Sequence, residues 1–333
     1  MAIRLKEKFE IQSYFRTVES DLERVDKRIA QQIQAFDPRI SGYVEYAIQN
    51  SGKRIRPSLV LLSSKATGGC KESHIDLAVI LEIVHLATLV HDDILDNASL
   101  RRGKPTMKAK WGSEISVLLG DCLFAHALKL CTRFEDLKIA RVIAEASNEV
   151  CTGEIIQTQR RFDLKISVED YLRAIQMKTG ALFRVSTELP AYLNGMRDED
   201  LKAFSDFGNY LGTAYQIYDD CLDLVGVEQE IGKTLGTDLQ KGKLTLPVLH
   251  LLRQLSSEDL ERVSESLLKG DEQERETLVQ QVRESGGYAY AVRKARELLD
   301  QADASLKSVD AEKEVEMLRK IARGFSDHLG VIS

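Results

Sequence analysis

Residues suited to a buried helix face recur every three, four or seven positions through much of this chain, for example at Leu77, Leu81, Val84, Thr88 and Leu95. These intervals are the repeat of an α-helix that turns one face toward a core, and the alternation typical of β-strands is hard to find. Proline, which interrupts helices, occurs only five times in 333 residues. The sequence therefore predicts an all-α fold.

Short glycine-containing breaks separate the segments of helix length. No linker rich in Pro, Ser or Gly divides the chain, and apolar residues make up 43% of it, enough for a sizeable core. We therefore predict one large helical domain over residues 1–333. The stretch from about 255 to 320 is rich in Glu, Lys, Arg and Leu, which predicts solvent-facing helices there.

Charge and cysteine content narrow the expected partners and compartment. The net charge of -6 argues mildly against nucleic acid as a partner. The five cysteines are scattered and form no Cys-x-x-Cys pair, which is typical of reduced thiols in a cytoplasmic protein. The first residues are charged, and no run reaches about 18 uncharged apolar residues, so we expect neither a signal peptide nor a transmembrane segment.

Two copies of the pattern Asp-Asp-x-x-Asp begin at Asp92 and Asp219, inside otherwise apolar helical segments. On a helix, Asp92 shares a face with Asp96, and Asp219 shares one with Asp223. One copy alone could mark the first turn of a helix, where carboxylates are favoured. Two copies indicate a binding site instead, because carboxylates this close repel unless protons or cations intervene. Their hard oxygen ligands suit Mg²⁺, so we predict a metal-bound diphosphate between the two helices.

Basic residues beside glycines support this interpretation. Singly, each would be an ordinary surface charge, but clustered around acidic metal sites they are typical of phosphate clamps. They are Lys53 and Arg56 after Gly52, Arg101 and Arg102, Lys178, Lys233, and Lys241 with Lys243.

With these motifs in this order, over roughly residues 45–255, the chain resembles the trans-isoprenyl diphosphate synthases, also called polyprenyl synthetases. The resemblance implies a bundle of long helices around a deep central cavity, usually as a homodimer. It implies a prenyltransferase that joins isopentenyl diphosphate head to tail with an allylic diphosphate, using three Mg²⁺ per active site. The leaving diphosphate departs from an allylic carbon, so the chemistry needs charge stabilisation and exclusion of water, and no protein nucleophile.

The resemblance also implies roles for individual residues, carried over by motif position. Asp92 and Asp96 would hold two metal ions and Asp219 the third, with Asp223 nearby. The allylic diphosphate would be gripped by Arg101, Lys178 and Lys233. Isopentenyl diphosphate would be held by Lys53, Arg56, His85 and Arg102, and Lys243 would also bind substrate. Thr179 and Gln216 would face the reacting carbons. His91 lies off the aspartate face and is expected to be structural.

Product length should depend on where the cavity ends. Ala87 and Thr88, just before Asp92, are small, whereas short-chain members of the family carry large aromatic residues there. The next large residue on the face of Asp92 is Leu81, roughly 16 Å deeper along the helix. Sequence alone leaves open whether Ala87 or Thr88 lines the tunnel. We expect a medium- or long-chain product of C25 or above, with a farnesyl or geranylgeranyl diphosphate synthase as the alternative.

Two further alternatives share the fold. A class I terpene cyclase usually has a different second metal motif and needs no second diphosphate pocket. A non-catalytic partner subunit of a heteromeric synthase typically lacks one aspartate motif, and both are intact here.

Overall fold

The computed structural model describes residues 11–50, 52–225, 237–269, 272–309 and 313–332. Its first nine α-helices are α1 (Glu19–Gln32), α2 (Ser41–Gln49), α3 (Ile55–Ala66), α4 (Glu72–Leu95), α5 (Met107–Cys131), α6 (Leu137–Gln159), α7 (Val168–Ile175), α8 (Ala181–Leu193) and α9 (Asp198–Val225). The later ones are α10 (Thr237–Gln240), α11 (Leu246–Leu252), α12 (Ser257–Lys269), α13 (Glu272–Glu284), α14 (Gly287–Ser305) and α15 (Lys313–Ile332). One antiparallel hairpin interrupts them, with β1 (Leu100–Arg101) paired to β2 (Lys104–Pro105). The prediction of an all-α fold is confirmed.

Helix α4 runs through the middle of the bundle. Its apolar residues are buried on nearly every side, because α3, α5 and α8 pack around it. Among the described residues, α4 is also the one helix with the length and hydropathy of a membrane span, which the sequence analysis did not expect. Some 72% of that apolar segment is buried inside the protein, so α4 is accounted for as a core helix.

Helix α9 is the second central element and packs against α8 and α14. Small residues allow a close approach to α8. A side-chain Cβ at Gly208 would lie 2.3 Å from the Thr187 hydroxyl and 2.5 Å from the Phe183 carbonyl oxygen. Glycine at this position therefore sets the separation of the two helices.

The C-terminal third corrects one expectation. Helix α14 was predicted to face solvent, but one side of it is fully buried, including Tyr288, Ala291 and Leu299. Its charged residues occupy the opposite side, and it packs on α9 and α15. Helix α15 in turn packs on α3, so the end of the chain closes the bundle near its beginning.

A matched pair of glycine substitutions tests this packing. We expect Gly208→Ala to lower the free energy of unfolding by about 1–3 kcal/mol, because α8 and α9 must move apart. Gly42→Ala in α2, where a Cβ would meet nothing within 4 Å, should raise it by up to about 1 kcal/mol. Urea unfolding of both variants measures the difference, and an unchanged Gly208→Ala protein would contradict the close packing.

Candidate active site

Both aspartate motifs lie at the C-terminal ends of helices. Helix α4 ends at Leu95, with Asp96 as its C-cap, and the second motif occupies the last described turns of α9. The sequence predicts both motifs well inside helices, with a first turn as the alternative for one copy, whereas both lie in the last described turns of their helices. A helix C-terminus carries partial negative charge, so carboxylates there are destabilised rather than stabilised. Positive partners are therefore expected at the end of α4, and the closely spaced carboxylates of the second motif call for them as well.

The first two aspartates of a motif differ in exposure, and the difference is the same in both motifs. Asp92 and Asp219 are half-exposed, whereas Asp93 and Asp220 are buried. Asp93 accepts a hydrogen bond of 2.9 Å from Arg101, and Asp220 accepts one of 2.9 Å from Lys243. The second aspartate of each motif thus fixes the helix end, and the first is left facing the cleft between the helices.

Asp92 lies among both acidic and basic side chains. Burial raises the pKa of its carboxyl to about 6, Lys178 opposes this shift, and Glu154 and Asp96 add to it. Asp96 lies close to two cations, Arg161 at 3.7 Å and Lys241 at 3.5 Å. Among the described residues, no three His, Cys, Asp or Glu side chains converge as a ready-made metal site. A metal ion at Asp92 and Asp96 would therefore need ligands from a substrate as well.

The second motif is held by a hydrogen-bonded network. Asp220 also accepts hydrogen bonds from the Tyr171 hydroxyl at 2.7 Å and from the Gln216 amide at 2.9 Å. Burial raises the pKa of the Asp220 carboxyl despite Lys243. The buried Asp223 carboxylate accepts a hydrogen bond of 3.0 Å from the backbone N–H of Asp238. Tyr171 and Asp238 thereby anchor the motif to neighbouring elements.

Lys178 and Thr179 lie in a π-helical turn, Gln176–Gly180, between α7 and α8. Such turns displace side chains from the α-helical register and occur often at functional sites. Lys178 pairs with Glu154 and donates to the Gln157 side chain at 3.2 Å. Burial lowers the pKa of Lys178, but the charges of Asp92 and Glu154 outweigh it and the net shift is upward. The ammonium is therefore positively charged beside the first motif.

Thr179 and Gln216 form one hydrogen-bonded chain. The Thr179 hydroxyl donates to the Gln216 side-chain oxygen at 2.7 Å, and the Gln216 amide nitrogen donates to Asp220. Both ends of the Gln216 side chain are thus fixed. Its amide is presented in one orientation beside Asp219, on the same helix face.

A second cationic region lies at the start of α3. The Arg56 guanidinium lies 5.1 Å from the centroid of the Phe183 ring, and its buried Nε has no hydrogen-bond partner among the described residues. Burial lowers the pKa of Arg56 to about 10. Arg102 donates to the Asn50 carbonyl at 3.3 Å and packs against Gly52, where a Cβ would lie 2.2 Å from its guanidinium. Any larger residue at position 52 would therefore force the Arg102 guanidinium to move.

His85 borders the same cationic region. Burial and the charges of Arg56, Arg101 and Arg102 place the pKa of its imidazole well below the usual value, so the ring is neutral. Arg54 differs from its neighbours, because it pairs at 2.7 Å with both Asp26 and the buried Glu82. Lys53 is half-exposed on the segment leading into α3.

For two predicted binding residues, Lys243 and Lys233, the structure does not support a direct role in the same way. The Lys243 ammonium contacts the carboxylates of Asp220 and Asp238, the latter at 3.0 Å. Burial lowers the pKa of Lys243, but these two carboxylates outweigh burial and the net shift is strongly upward. Its ammonium anchors the second motif in this structure, and its role in binding substrate stays a prediction. Lys233 lies outside the described residues.

The face of α4 below Asp92 is open only part of the way down. Thr88 and His85 are half-exposed, and the Thr88 hydroxyl donates to the His85 carbonyl at 2.7 Å. Ala87 and Leu81 are fully buried. Thr88 therefore borders the cleft, whereas Ala87 and Leu81 are buried away from it. Their influence on product length stays a prediction.

Several partners in the site could not be assigned from the sequence. The sequence indicated no role for Glu154, Gln157, Tyr171, Glu82 or Arg161. Their contacts join positions that are 20 or more residues apart, so only the fold brings them together. Asp220 is the exception, since its spacing of four from Gln216 predicts a shared helix face.

Comparison with known proteins agrees with this geometry. The family model described as "Polyprenyl synthetase" matches residues 37–285. The chain is 34% identical to octaprenyl diphosphate synthase of Escherichia coli, over 86% of this chain and 89% of that one. It is 38% identical to heptaprenyl diphosphate synthase component 2 of Bacillus subtilis, over 75% and 76% respectively.

A solved structure shows the same fold. The polyprenyl synthase of Caulobacter crescentus, complexed with calcium and isoprenyl diphosphate, superposes with a TM-score of 0.89. It is 31% identical in sequence, over 97% of this chain and 98% of that one. The match spans both aspartate motifs and the cationic residues around them, and the chain belongs to the polyprenyl synthetase family.

Proposed function

We propose that this protein is a trans-polyprenyl diphosphate synthase with a product of C25 or above. It condenses isopentenyl diphosphate with an allylic diphosphate. The allylic C–O bond breaks and inorganic diphosphate leaves, a C–C bond forms to isopentenyl diphosphate, and a proton is lost. The observation that carries the proposal is the pair of half-exposed aspartates, Asp92 and Asp219, at two negative helix ends with cations around them.

The acidic residues fit divalent metal ions. Asp92 and Asp219 are half-exposed carboxylates, and such hard oxygen ligands are the ones that Mg²⁺ prefers. We propose that Asp92, Asp96 and Asp219 hold three Mg²⁺ together with diphosphate oxygens, with Asp223 supporting Asp219. When bound, the ions supply positive charge that stabilises the departing diphosphate.

The cations divide into two groups by their position. Arg101 and Lys178 lie beside the first motif and are proposed to bind the allylic diphosphate, together with Lys233. Arg56, Arg102, His85 and Lys53 lie around the start of α3 and are proposed to bind isopentenyl diphosphate. The uncommitted Nε of Arg56 supports this assignment, because a buried guanidinium donor without a partner is costly until an anion accepts from it.

Polar side chains beside these cations are proposed to orient the reacting carbons. Gln216 is fixed by Thr179 and Asp220, so its amide dipole faces one direction without needing to reorganise during reaction. Neutral His85 can donate a hydrogen bond without adding a charge to the cationic pocket. Buried Leu, Ile and Val side chains on α4 would exclude water from the allylic tail.

The proposed assembly is a homodimer in the cytoplasm. Large apolar side chains are exposed on α5 and α6, including Leu118, Leu128, Leu137 and Ile155, and such surfaces favour a protein partner. The Bacillus relative named as component 2 supports a second candidate, a subunit that acts with a different partner. Both aspartate motifs are intact here, which favours a catalytic subunit over a non-catalytic one.

The activity is tested with purified protein, Mg²⁺, isopentenyl diphosphate and one allylic primer at a time. Mass spectrometry of the products should give a ladder ending at C25 or above. Products ending at C15 or C20 would support the short-chain alternative, and a cyclic hydrocarbon from one allylic substrate would support a cyclase. Absence of turnover with every primer would contradict the proposal for the chain acting alone.

The metal assignment predicts the effect of removing one carboxylate. Asp92→Asn and Asp219→Asn should each lower kcat by a factor of about 100 to 1,000, because each removes a ligand that stabilises the leaving group. Asp206→Asn, which removes a surface carboxylate paired with Lys202 on α9, is the matched control and should leave kcat unchanged. Equal rates for all three variants would refute the assignment.

Thr88 is partly exposed and Ala87 is buried, so a large residue is predicted to have a different effect at each position. Thr88→Phe should fill the cleft and shorten the product to C15 or C20 while the enzyme stays folded. Ala87→Phe, at a fully buried position, should instead destabilise the protein by about 1–3 kcal/mol. Product mass and thermal unfolding distinguish the two, and an unchanged product from Thr88→Phe would show that another helix sets the length.

A further inference from the structure

Asp96, the last aspartate of the first motif, is held by cations from two separate loops. The Arg161 guanidinium, just after α6, lies 3.7 Å from one Asp96 oxygen, and the Lys241 ammonium, just after α10, lies 3.5 Å from the same oxygen. The side chains of Arg161 and Lys241 are 26% and 27% exposed, so both remain partly in contact with solvent. We call these two residues the Asp96 clamp.

The loops that carry the clamp are joined to each other. The backbone N–H of Phe162 donates to the Gly242 carbonyl at 2.8 Å, and both residues have left-handed backbone conformations, with φ of 62° and 75°. A Cβ at Gly242 would lie 2.5 Å from the Phe162 ring, so this contact needs glycine. The two cations are therefore presented as one unit.

The clamp also connects the two aspartate motifs. The N–H groups of Lys241 and Lys243 both donate to the Asp238 carbonyl, at 3.2 and 2.8 Å. The N–H of Asp238 in turn donates to Asp223 at 3.0 Å. Lys241 at the first motif and Lys243 at the second are thus carried by one turn that is fixed to α9.

From this arrangement we propose that the Asp96 clamp is an internal counter-ion that a diphosphate must remove before metal binds to Asp96. Without substrate, the two cations neutralise the carboxylate that a metal would need. A diphosphate carries more negative charge than one carboxylate, so it attracts Arg161 and Lys241 away and keeps them as additional phosphate contacts. Asp96 is then free for metal. Metal and diphosphate binding are therefore coupled, and each strengthens the other.

The inference rests on the proposed function, and the test uses binding, not turnover. The double variant Arg161→Gln, Lys241→Gln removes both cations, and Arg160→Gln, whose partner is Asp163, is the matched control. Electron paramagnetic resonance measures the Kd of Mn²⁺ in the absence of diphosphate, and calorimetry measures the Kd of inorganic pyrophosphate at saturating Mg²⁺.

The double variant should bind Mn²⁺ alone about three- to tenfold more tightly than the wild type, because Asp96 is no longer neutralised. It should bind pyrophosphate about tenfold more weakly, because two phosphate contacts are lost. General damage to the fold would weaken both ligands, so opposite shifts are specific to the clamp. Shifts in the same direction, or none, would overturn the inference. A wild-type protein that binds no pyrophosphate with Mg²⁺ would instead refute the proposed function.

Discussion

Electrostatic repulsion among carboxylates at two negative helix ends is the constraint around which this site is built. Helices α4 and α9 place aspartates beside one region, and the C-terminal end of α4 adds partial negative charge there. Each cation nearby lessens that repulsion: Lys178 beside Asp92, Lys243 on Asp220, Arg101 on Asp93. Burial is the main cause of the raised pKa of the Asp92 carboxyl, and a divalent ion bound there would favour its charged form.

The first and second aspartates have different roles, and these roles are the same in both motifs. In each motif the second aspartate is buried and ion-paired, which fixes the helix end, while the first faces the cleft. The ligand positions are thereby set before substrate arrives, so little free energy is needed to organise them during catalysis. A substitution at Asp93 or Asp220 would act through the position of its neighbour rather than through lost metal contact.

Much of the fold and part of the site follow from the sequence, because both depend on helical periodicity. Helical geometry puts Thr88 on the face of Asp92, and the structure has Thr88 half-exposed and Ala87 buried, a choice that the sequence left open. Tertiary contacts could not be obtained this way. Helix α14 has many charged residues yet buries one face against α9, and Arg54 is indistinguishable from Arg56 in sequence although it is committed to Asp26 and Glu82.

The central claim is that a metal-bound diphosphate lies between the two aspartate motifs. Its most direct test is a crystal structure of the protein with Mn²⁺ and inorganic pyrophosphate, with anomalous scattering used to locate the metal. The account predicts anomalous peaks within coordination distance of Asp92, Asp96 and Asp219, bridged by pyrophosphate oxygens. Pyrophosphate bound elsewhere, or Mn²⁺ absent from either motif, would contradict it.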